Sequence, residues 1–227
     1  VTSTYEMRTL LAETLADRQV RKTLVEKICH NEQVPEVADD LLALDVDELV
    51  RQLIEGVLLR EDSLTAFLSK ERYALRPLHN FFFMRDASVT VGGSVVIGRM
   101  ANRVREREAL IMETIFERHP AFGVTTLNPL DSPGGFDGMS IEGGDVLVAR
   151  DDVALIGIGA RTTPQAVDGF VDRVRPRRPA FNVIVQQLPL QPASFTPTDM
   201  VFTLLHRHAR MAHDPVTRRP RRLATLA

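Results

Sequence analysis

Residues 141–166 read IEGGDVLVARDDVALIGIGARTTPQA, and this stretch decides the fold. Two short runs rich in Val, Leu and Ile, at 145–148 and 153–157, are separated by a short acidic turn, so they predict a β-hairpin. A helical pattern beginning with a proline then predicts a helix over 164–175. A hairpin followed directly by a helix indicates an α/β protein.

The same order of elements occurs on the N-terminal side of this stretch. Two β-branched runs, at 88–91 and 94–97, flank Gly92-Gly93. Two glycines at that point predict a tight hairpin, because both central residues of the turn take positive φ. An amphipathic helix is predicted over 104–115. Further strands are predicted near 182–188 and 200–205, and the whole order indicates a repeated ββαβ-like unit.

Residues 6 to about 70 have a different character. Apolar residues recur there at helical spacing, and the first glycine is Gly56. Asp45 followed by Glu48 resembles a capping box, and residues 31–35 are typical of a turn between helices. We therefore predict two domains, a helical domain over 6–70 and an α/β domain over 71–227.

Composition excludes several classes of protein. The 227 residues are 44% hydrophobic and 26% charged with a net charge of −2, so we expect no nucleic-acid partner and no membrane-surface partner. No apolar run is long enough to span a membrane. The N-terminus does not resemble a secretory signal and begins without Met, so we expect a processed chain or a segment of a longer one. A single cysteine, Cys29, fits a reducing cytoplasm.

Four polar segments stand out: NFFFMRD (80–86), RERE (105–108), EGGD (142–145) and Arg161 in GARTT. A guanidinium is planar and donates paired hydrogen bonds that a carboxylate accepts in parallel, so a pocket for it needs acidic residues. A substrate with an α-carboxylate needs arginines as well. Each segment also has a simpler interpretation. Arg85-Asp86 could be a structural ion pair, EGGD a plain turn and RERE a solvated helix face.

The order of the motifs favours the functional interpretation. PLHNFFFMRD (77–86), MANRVREREA (100–109), residues 141–166 and DMVFTLL (199–205) resemble successive blocks of the arginine deiminase family of guanidino-group modifying enzymes. The resemblance runs from about residue 5 to 215. It implies a pentein-type α/β propeller of ββαβ units with an N-terminal helical-bundle insertion, of which this chain holds a part.

The resemblance also implies a role for each matching residue. Asp86 and Asp199 would hold the substrate guanidinium, and Asn80 and Phe83 would line the same pocket. Arg105 and Arg161 would bind the amino-acid carboxylate. Glu142 would hydrogen-bond the general-base histidine of the family. The implied reaction is hydrolysis of L-arginine to citrulline and ammonia, with neither a cofactor nor a metal.

The sequence departs from the family at the reacting groups. The family's His-Leu-Asp motif falls on Pro197-Thr198-Asp199, and proline cannot accept or relay a proton. The family's nucleophilic cysteine would fall beyond residue 227. Cys29 lies beside Val25 and Ile28 in a helical pattern, so we predict a buried and inert thiol.

These departures leave three hypotheses open. The first is an arginine deiminase-like chain that turns over little or no arginine by itself. The second is a non-catalytic binding or interaction module for guanidino compounds. The third is a split subunit that needs a partner chain, and formation of a homo-oligomer is also left open. His206, His208 and His213 could in principle bind a metal, but we expect a solvent-exposed segment there because no acidic or cysteine ligand accompanies them.

Overall fold

The computed structural model describes residues 4–60, 62–129, 138–189, 197–206, 209–213 and 223–226. The chain divides into two compact units. The helical unit comprises residues 1–82 and 104–123, and the sheet unit comprises residues 83–103 and 124–227. The boundary therefore places residues 71–82 and the helix after residue 104 with the N-terminal helices.

The helical unit is built from five α-helices before residue 70 and one after residue 104. The helices are α1 (Met7–Leu15), α2 (Arg18–Glu32), α3 (Ala38–Leu42), α4 (Val46–Glu55), α5 (Leu64–Leu68) and, later in the chain, α7 (Glu106–Arg118). Strands β1 (Val57–Leu58) and β2 (Tyr73–Leu75) pair antiparallel. Helices α1, α2, α4 and α7 pack on one another through leucine, valine and isoleucine side chains that recur at helical spacing.

Local signals explain where these helices begin and end. The Asp45 carboxylate accepts a hydrogen bond from the Glu48 amide at 2.9 Å, so the predicted cap of α4 is present. Asp17 caps α2 in the same way. Gln33 ends α2 in the left-handed conformation with φ 61°, and this confirms the predicted turn over 31–35.

The RERE segment is buried, so the solvated-face interpretation of it is wrong. Arg107 is 0% exposed, and its guanidinium lies 2.8 Å from Glu32 and donates to the backbone carbonyl of Arg76. Glu106 and Glu108 are buried on the same turn of α7. The charges are tolerated inside the helical unit because they are paired there. Periodicity could not show this, because a buried ion pair and a solvated one have the same sequence pattern.

The sheet unit contains two small sheets and a ribbon. Helix α6 (Met84–Ala87) leads into a three-stranded sheet of β3 (Ser88–Val91), β4 (Ser94–Ile97) and β5 (Thr125–Leu127), in which β3–β4 is antiparallel and β4–β5 parallel. The second sheet has the order β11-β8-β7-β6 and contains β6 (Val146–Arg150), β7 (Val153–Ile158), β8 (Asn182–Gln187) and β11 (Leu223–Leu226). Strands β9 (Phe202–His206) and β10 (Ala209–Ala212) form the ribbon.

The predicted ββαβ unit is confirmed in the second sheet. The antiparallel hairpin β6–β7 is followed by helix α8 (Pro164–Val174) and by β8, which pairs parallel with β7. In the first sheet, the antiparallel pair β3–β4 is likewise followed by the parallel strand β5. The buried face of α8 joins both sheets in one apolar core with Phe170 at its centre. This core fixes the ends of β6 and β7, where the candidate site lies.

Within the part of the chain that the structure describes, no helix is long and apolar enough to cross a membrane. The propeller and the helical-bundle insertion remain predictions.

Candidate functional site

Three of the residues with predicted roles meet in the sheet unit around Arg161. Glu142 is buried, and its carboxylate accepts a hydrogen bond from Arg161 Nη1 at 2.9 Å and another from the Ala101 amide at 3.2 Å. The same Arg161 nitrogen lies 4.0 Å from the carboxylate of Asp86. Asp199 is close enough to Asp86 and Arg161 for their charges to affect its ionisation.

The glycines of the EGGD segment allow the chain to come this close. A side chain at Gly143 would overlap the backbone carbonyl of Arg85. A Cβ at Gly144 would lie 2.8 Å from both the Asp86 carboxylate and the ring of Pro197. The plain-turn interpretation of EGGD is therefore incomplete, because this turn is buried and brings Asp86 and Pro197 against one backbone position.

Arg85 fixes the start of α6 against the beginning of β6. Its guanidinium donates to the carbonyls of Val146 at 2.6 Å and Gly143 at 3.2 Å, and it lies 4.0 Å from Asp199. The alternative that sequence left open, a structural role for this arginine, agrees with these contacts. The neighbouring Asp86 is thereby held at the rim of the turn.

The ionisation of Asp199 reflects its surroundings. Burial raises the pKa of its carboxyl, and the negative charge of Asp86 adds to that rise. The guanidiniums of Arg85 and Arg161 act in the opposite direction. Two carboxylates that raise each other's energy in this way form a place where a further cation is stabilised.

Asp145 is a member of the site that the sequence analysis did not identify. Its side chain is 1% exposed and accepts three hydrogen bonds, from the Thr162 hydroxyl at 2.7 Å, the Thr198 amide at 2.8 Å and the Thr198 hydroxyl at 3.0 Å. Burial raises its pKa to about 6, and the charge of Glu142 adds to this, although the three hydrogen bonds oppose it. EGGD contained the signal, but Asp145 was interpreted only as the start of a strand. We call Asp86, Glu142, Asp145 and Asp199 the acidic cluster.

The other predicted residues are not part of this cluster. Phe83 precedes α6 and is 53% exposed. Asn80 and Arg105 belong to the helical unit, where Arg105 donates to both oxygens of Glu108, at 3.1 and 2.8 Å, and to the Asn80 carbonyl at 3.3 Å. Their roles toward a substrate remain predictions.

Cys29 is a buried thiol, as predicted. It is 2% exposed in the helical unit, and burial raises its pKa to about 11, helped by the charges of Glu32 and Glu36. At neutral pH it is a protonated thiol rather than a nucleophilic thiolate.

Among the described residues, no group of three or more His, Cys, Asp or Glu side chains could hold a metal ion. His208, one of the three histidines considered above, lies outside the described residues.

Known structures with related folds include two dimethylarginine dimethylaminohydrolases. One is an enzyme from Pseudomonas aeruginosa, a cysteine-to-serine mutant in complex with citrulline, which is 21% identical with a TM-score of 0.37 and covers 61% of this chain and 58% of that one. The other is an adduct with S-methyl-L-thiocitrulline, at 20% identity, a TM-score of 0.37 and the same coverage.

Sequence comparison gives the family. An arginine deiminase from Listeria monocytogenes serotype 4b (strain CLIP80459) is 30% identical over 210 residues, which cover 87% of this chain and 50% of that protein. An arginine deiminase from Bacillus cytotoxicus is 28% identical over 215 residues, with 88% and 51% covered. The chain thus spans about half the length of these relatives. The family model for arginine deiminase matches residues 2–226, and the chain belongs to the arginine deiminase family.

Proposed function

We propose that this chain contributes the guanidinium-binding part of an arginine deiminase-type site, whose reaction is hydrolysis of L-arginine to citrulline and ammonia. Its 227 residues then bind L-arginine or a related guanidino compound but do not turn it over by themselves. The proposal separates recognition from chemistry, because the residues suited to each are present to different degrees. We infer a cytoplasmic setting, in keeping with the free Cys29 thiol.

One observation carries the recognition part of the proposal. The guanidinium of Arg161 already lies among the acidic cluster, 2.9 Å from Glu142 and 4.0 Å from Asp86. A site that accommodates a resident guanidinium in this way has the charge and the spacing that a guanidino ligand needs. Asp86 and Asp199 are the carboxylates that we assign to the ligand, and Arg161 is the residue that we assign to its α-carboxylate.

The chemistry part rests on what stands at the reacting positions. Attack at a guanidinium carbon needs a thiolate, and the one cysteine in these residues is buried with a pKa of about 11. A general base is needed to activate water, and Pro197 stands where the family resemblance predicts that histidine. Groups that act as a unit in catalysis cannot be removed singly without large losses of rate.

Calorimetric titration with L-arginine tests recognition. We expect saturable heat for the native chain and an affinity about 10- to 100-fold lower for Asp86→Asn, because a hydrogen bond between charged groups is worth about 1.5–3 kcal/mol. The matched control is Asp172→Asn, an exposed aspartate on α8 in the same unit, which should leave the affinity unchanged. Absence of heat at millimolar arginine would refute the proposal.

A citrulline assay on the same preparation tests the chemistry. We expect no citrulline above the buffer rate from the 227-residue chain. Steady release of citrulline would mean that another residue of the chain is the nucleophile, and the assignment of a binding role alone would be wrong.

The alternative of a split subunit makes a different prediction. If a partner chain supplies the thiolate, the native chain should co-purify with that chain and the mixture should release citrulline. A single species of 25.4 kDa by native mass spectrometry would count against both this alternative and a stable homo-oligomer.

A further inference from the structure

We propose that Asp145 is a positioning residue that fixes three turns of the sheet unit, each of which carries one of the residues assigned to ligand binding. This inference rests on the proposed function for its meaning, but its geometry does not depend on it. The three turns are residues 142–145, residues 159–163 and residues 197–200.

The first connection links Asp145 to Glu142. The Asp145 amide donates to the Glu142 carbonyl at 2.9 Å, within the same turn. The Glu142 amide donates to the Thr162 hydroxyl at 3.3 Å, and that hydroxyl donates its own proton to Asp145 Oδ2 at 2.7 Å. A change at Asp145 therefore reaches the backbone of Glu142 by two routes.

The second connection passes through Thr162 to Arg161. Thr162 is buried, and its hydroxyl is fully used as the acceptor for Glu142 and the donor to Asp145. Arg161 is the preceding residue, so the direction in which its guanidinium leaves the backbone depends on where Thr162 is held. The next residue, Thr163, begins α8 as its N-cap, which limits movement on the other side.

The third connection passes through Thr198 to Asp199. The Thr198 amide and hydroxyl both donate to Asp145 Oδ1, at 2.8 and 3.0 Å. The hydroxyl occupies space that only a glycine at position 157 leaves open, because a side chain on Gly157 would overlap it. Pro197 on one side and Thr198 on the other thus leave Asp199 little freedom in the chain direction.

The choice of residue types favours a positioning role over general packing. Serving three donors from two different turns requires an acceptor with two oxygens, and a buried carboxylate provides it. An apolar residue of similar size would fill the space without fixing either turn. The burial cost of the charge is offset by hydrogen bonds that all reach residues next to the candidate site.

The double variant Thr162→Val/Thr198→Val tests the inference without removing the carboxylate, because valine keeps the shape of threonine and removes only the hydroxyl. We expect the arginine dissociation constant to rise at least about 10-fold. Hydrogen–deuterium exchange should accelerate in residues 197–201 and 159–163. The rescue variant, Thr162→Ser/Thr198→Ser, should restore both quantities because serine retains the hydroxyl.

Val183→Ala in β8 is the matched control, since it weakens the core of the same unit and touches none of the three turns' side-chain hydrogen bonds. It should lower the melting temperature while leaving arginine affinity and local exchange in the turns near native values. An equal loss of affinity in the control and the double variant, or unchanged exchange in the double variant, would overturn the positioning role. If the native chain fails to bind arginine, the proposed function is refuted, and the exchange measurement alone decides whether Asp145 fixes the turns.

Discussion

Asp145→Asn should change how stability depends on pH, in a direction that the structure specifies. The pKa of the Asp145 carboxyl is raised from 3.8 to about 6 in the folded chain, chiefly by burial. As pH rises, the unfolded chain loses this proton first, near pH 4, whereas the folded chain keeps it until about pH 6. The contribution of Asp145 to stability is therefore complete below about pH 4 and is lost as pH rises through about 6.

The magnitude follows from the size of the shift. A difference of about two pKa units corresponds to about 3 kcal/mol in total, of which about 2 kcal/mol falls between pH 4.5 and 7. Asparagine at position 145 does not titrate. The free energy of unfolding of Asp145→Asn minus that of the native chain should thus increase by about 2 kcal/mol between those two pH values.

Urea denaturation followed by circular dichroism at pH 4.5, 5.5, 6.5 and 7.5 measures this difference. Other titrating groups, including Asp199 with its raised pKa, are present in both proteins and cancel when the two curves are subtracted. Val183→Ala serves as a control, because its stability difference from the native chain should not vary with pH. A difference between Asp145→Asn and the native chain that stays constant over this range, or that falls as pH rises, would refute the assignment of a buried, titrating carboxylate.

Three further predictions concern residues outside this titration. Cys29 should react slowly with a disulfide reagent at pH 7.4 and rapidly after unfolding in guanidinium chloride; rapid reaction in the native chain would contradict its burial. Arg107→Met should lower the free energy of unfolding by about 3–5 kcal/mol, and Arg107→Met/Glu32→Gln by clearly less, because the second change removes the charge left unpaired; equal losses would deny the coupling. Gly143→Ala should destabilise by about 1–3 kcal/mol through overlap with a backbone carbonyl, whereas Gly93→Ala, which has open space, should not, as thermal denaturation of both would reveal.

Periodic patterns predicted the elements of the fold well. The hairpin and helix over 145–175, the hairpin over 88–97 and the helices before residue 56 are all present, because alternation and 3.6-residue spacing report directly which face is buried. The strand expected to begin at Asp145 begins one residue later, at Val146. The pattern marked Asp145 as the edge of a strand but carried no information about the partners of its side chain.

The residues of the candidate site were only partly predictable, for a physical reason. Asp86, Glu142 and Asp199 could be named because the family motifs keep them in order, but their proximity depends on glycines that let three turns meet. Thr162 and Thr198 could not be named. Threonine is common in loops, and only the structure brings these two hydroxyls to one buried carboxylate.

The charges around the site favour the entry of a cation. Above about pH 6 the acidic cluster contributes four negative charges, and the guanidiniums of Arg85 and Arg161 contribute two positive ones, so the local balance is 2 − 4 = −2. A ligand guanidinium lowers this imbalance, whereas a ligand carboxylate can approach only on the side of Arg161. Because Arg161 is engaged by Glu142, a ligand that carries both groups can draw Arg161 toward its carboxylate while its guanidinium replaces the lost positive charge beside Asp86. A guanidino compound without a carboxylate must instead compete with Arg161, so the same geometry that attracts a guanidinium favours an amino acid that bears one.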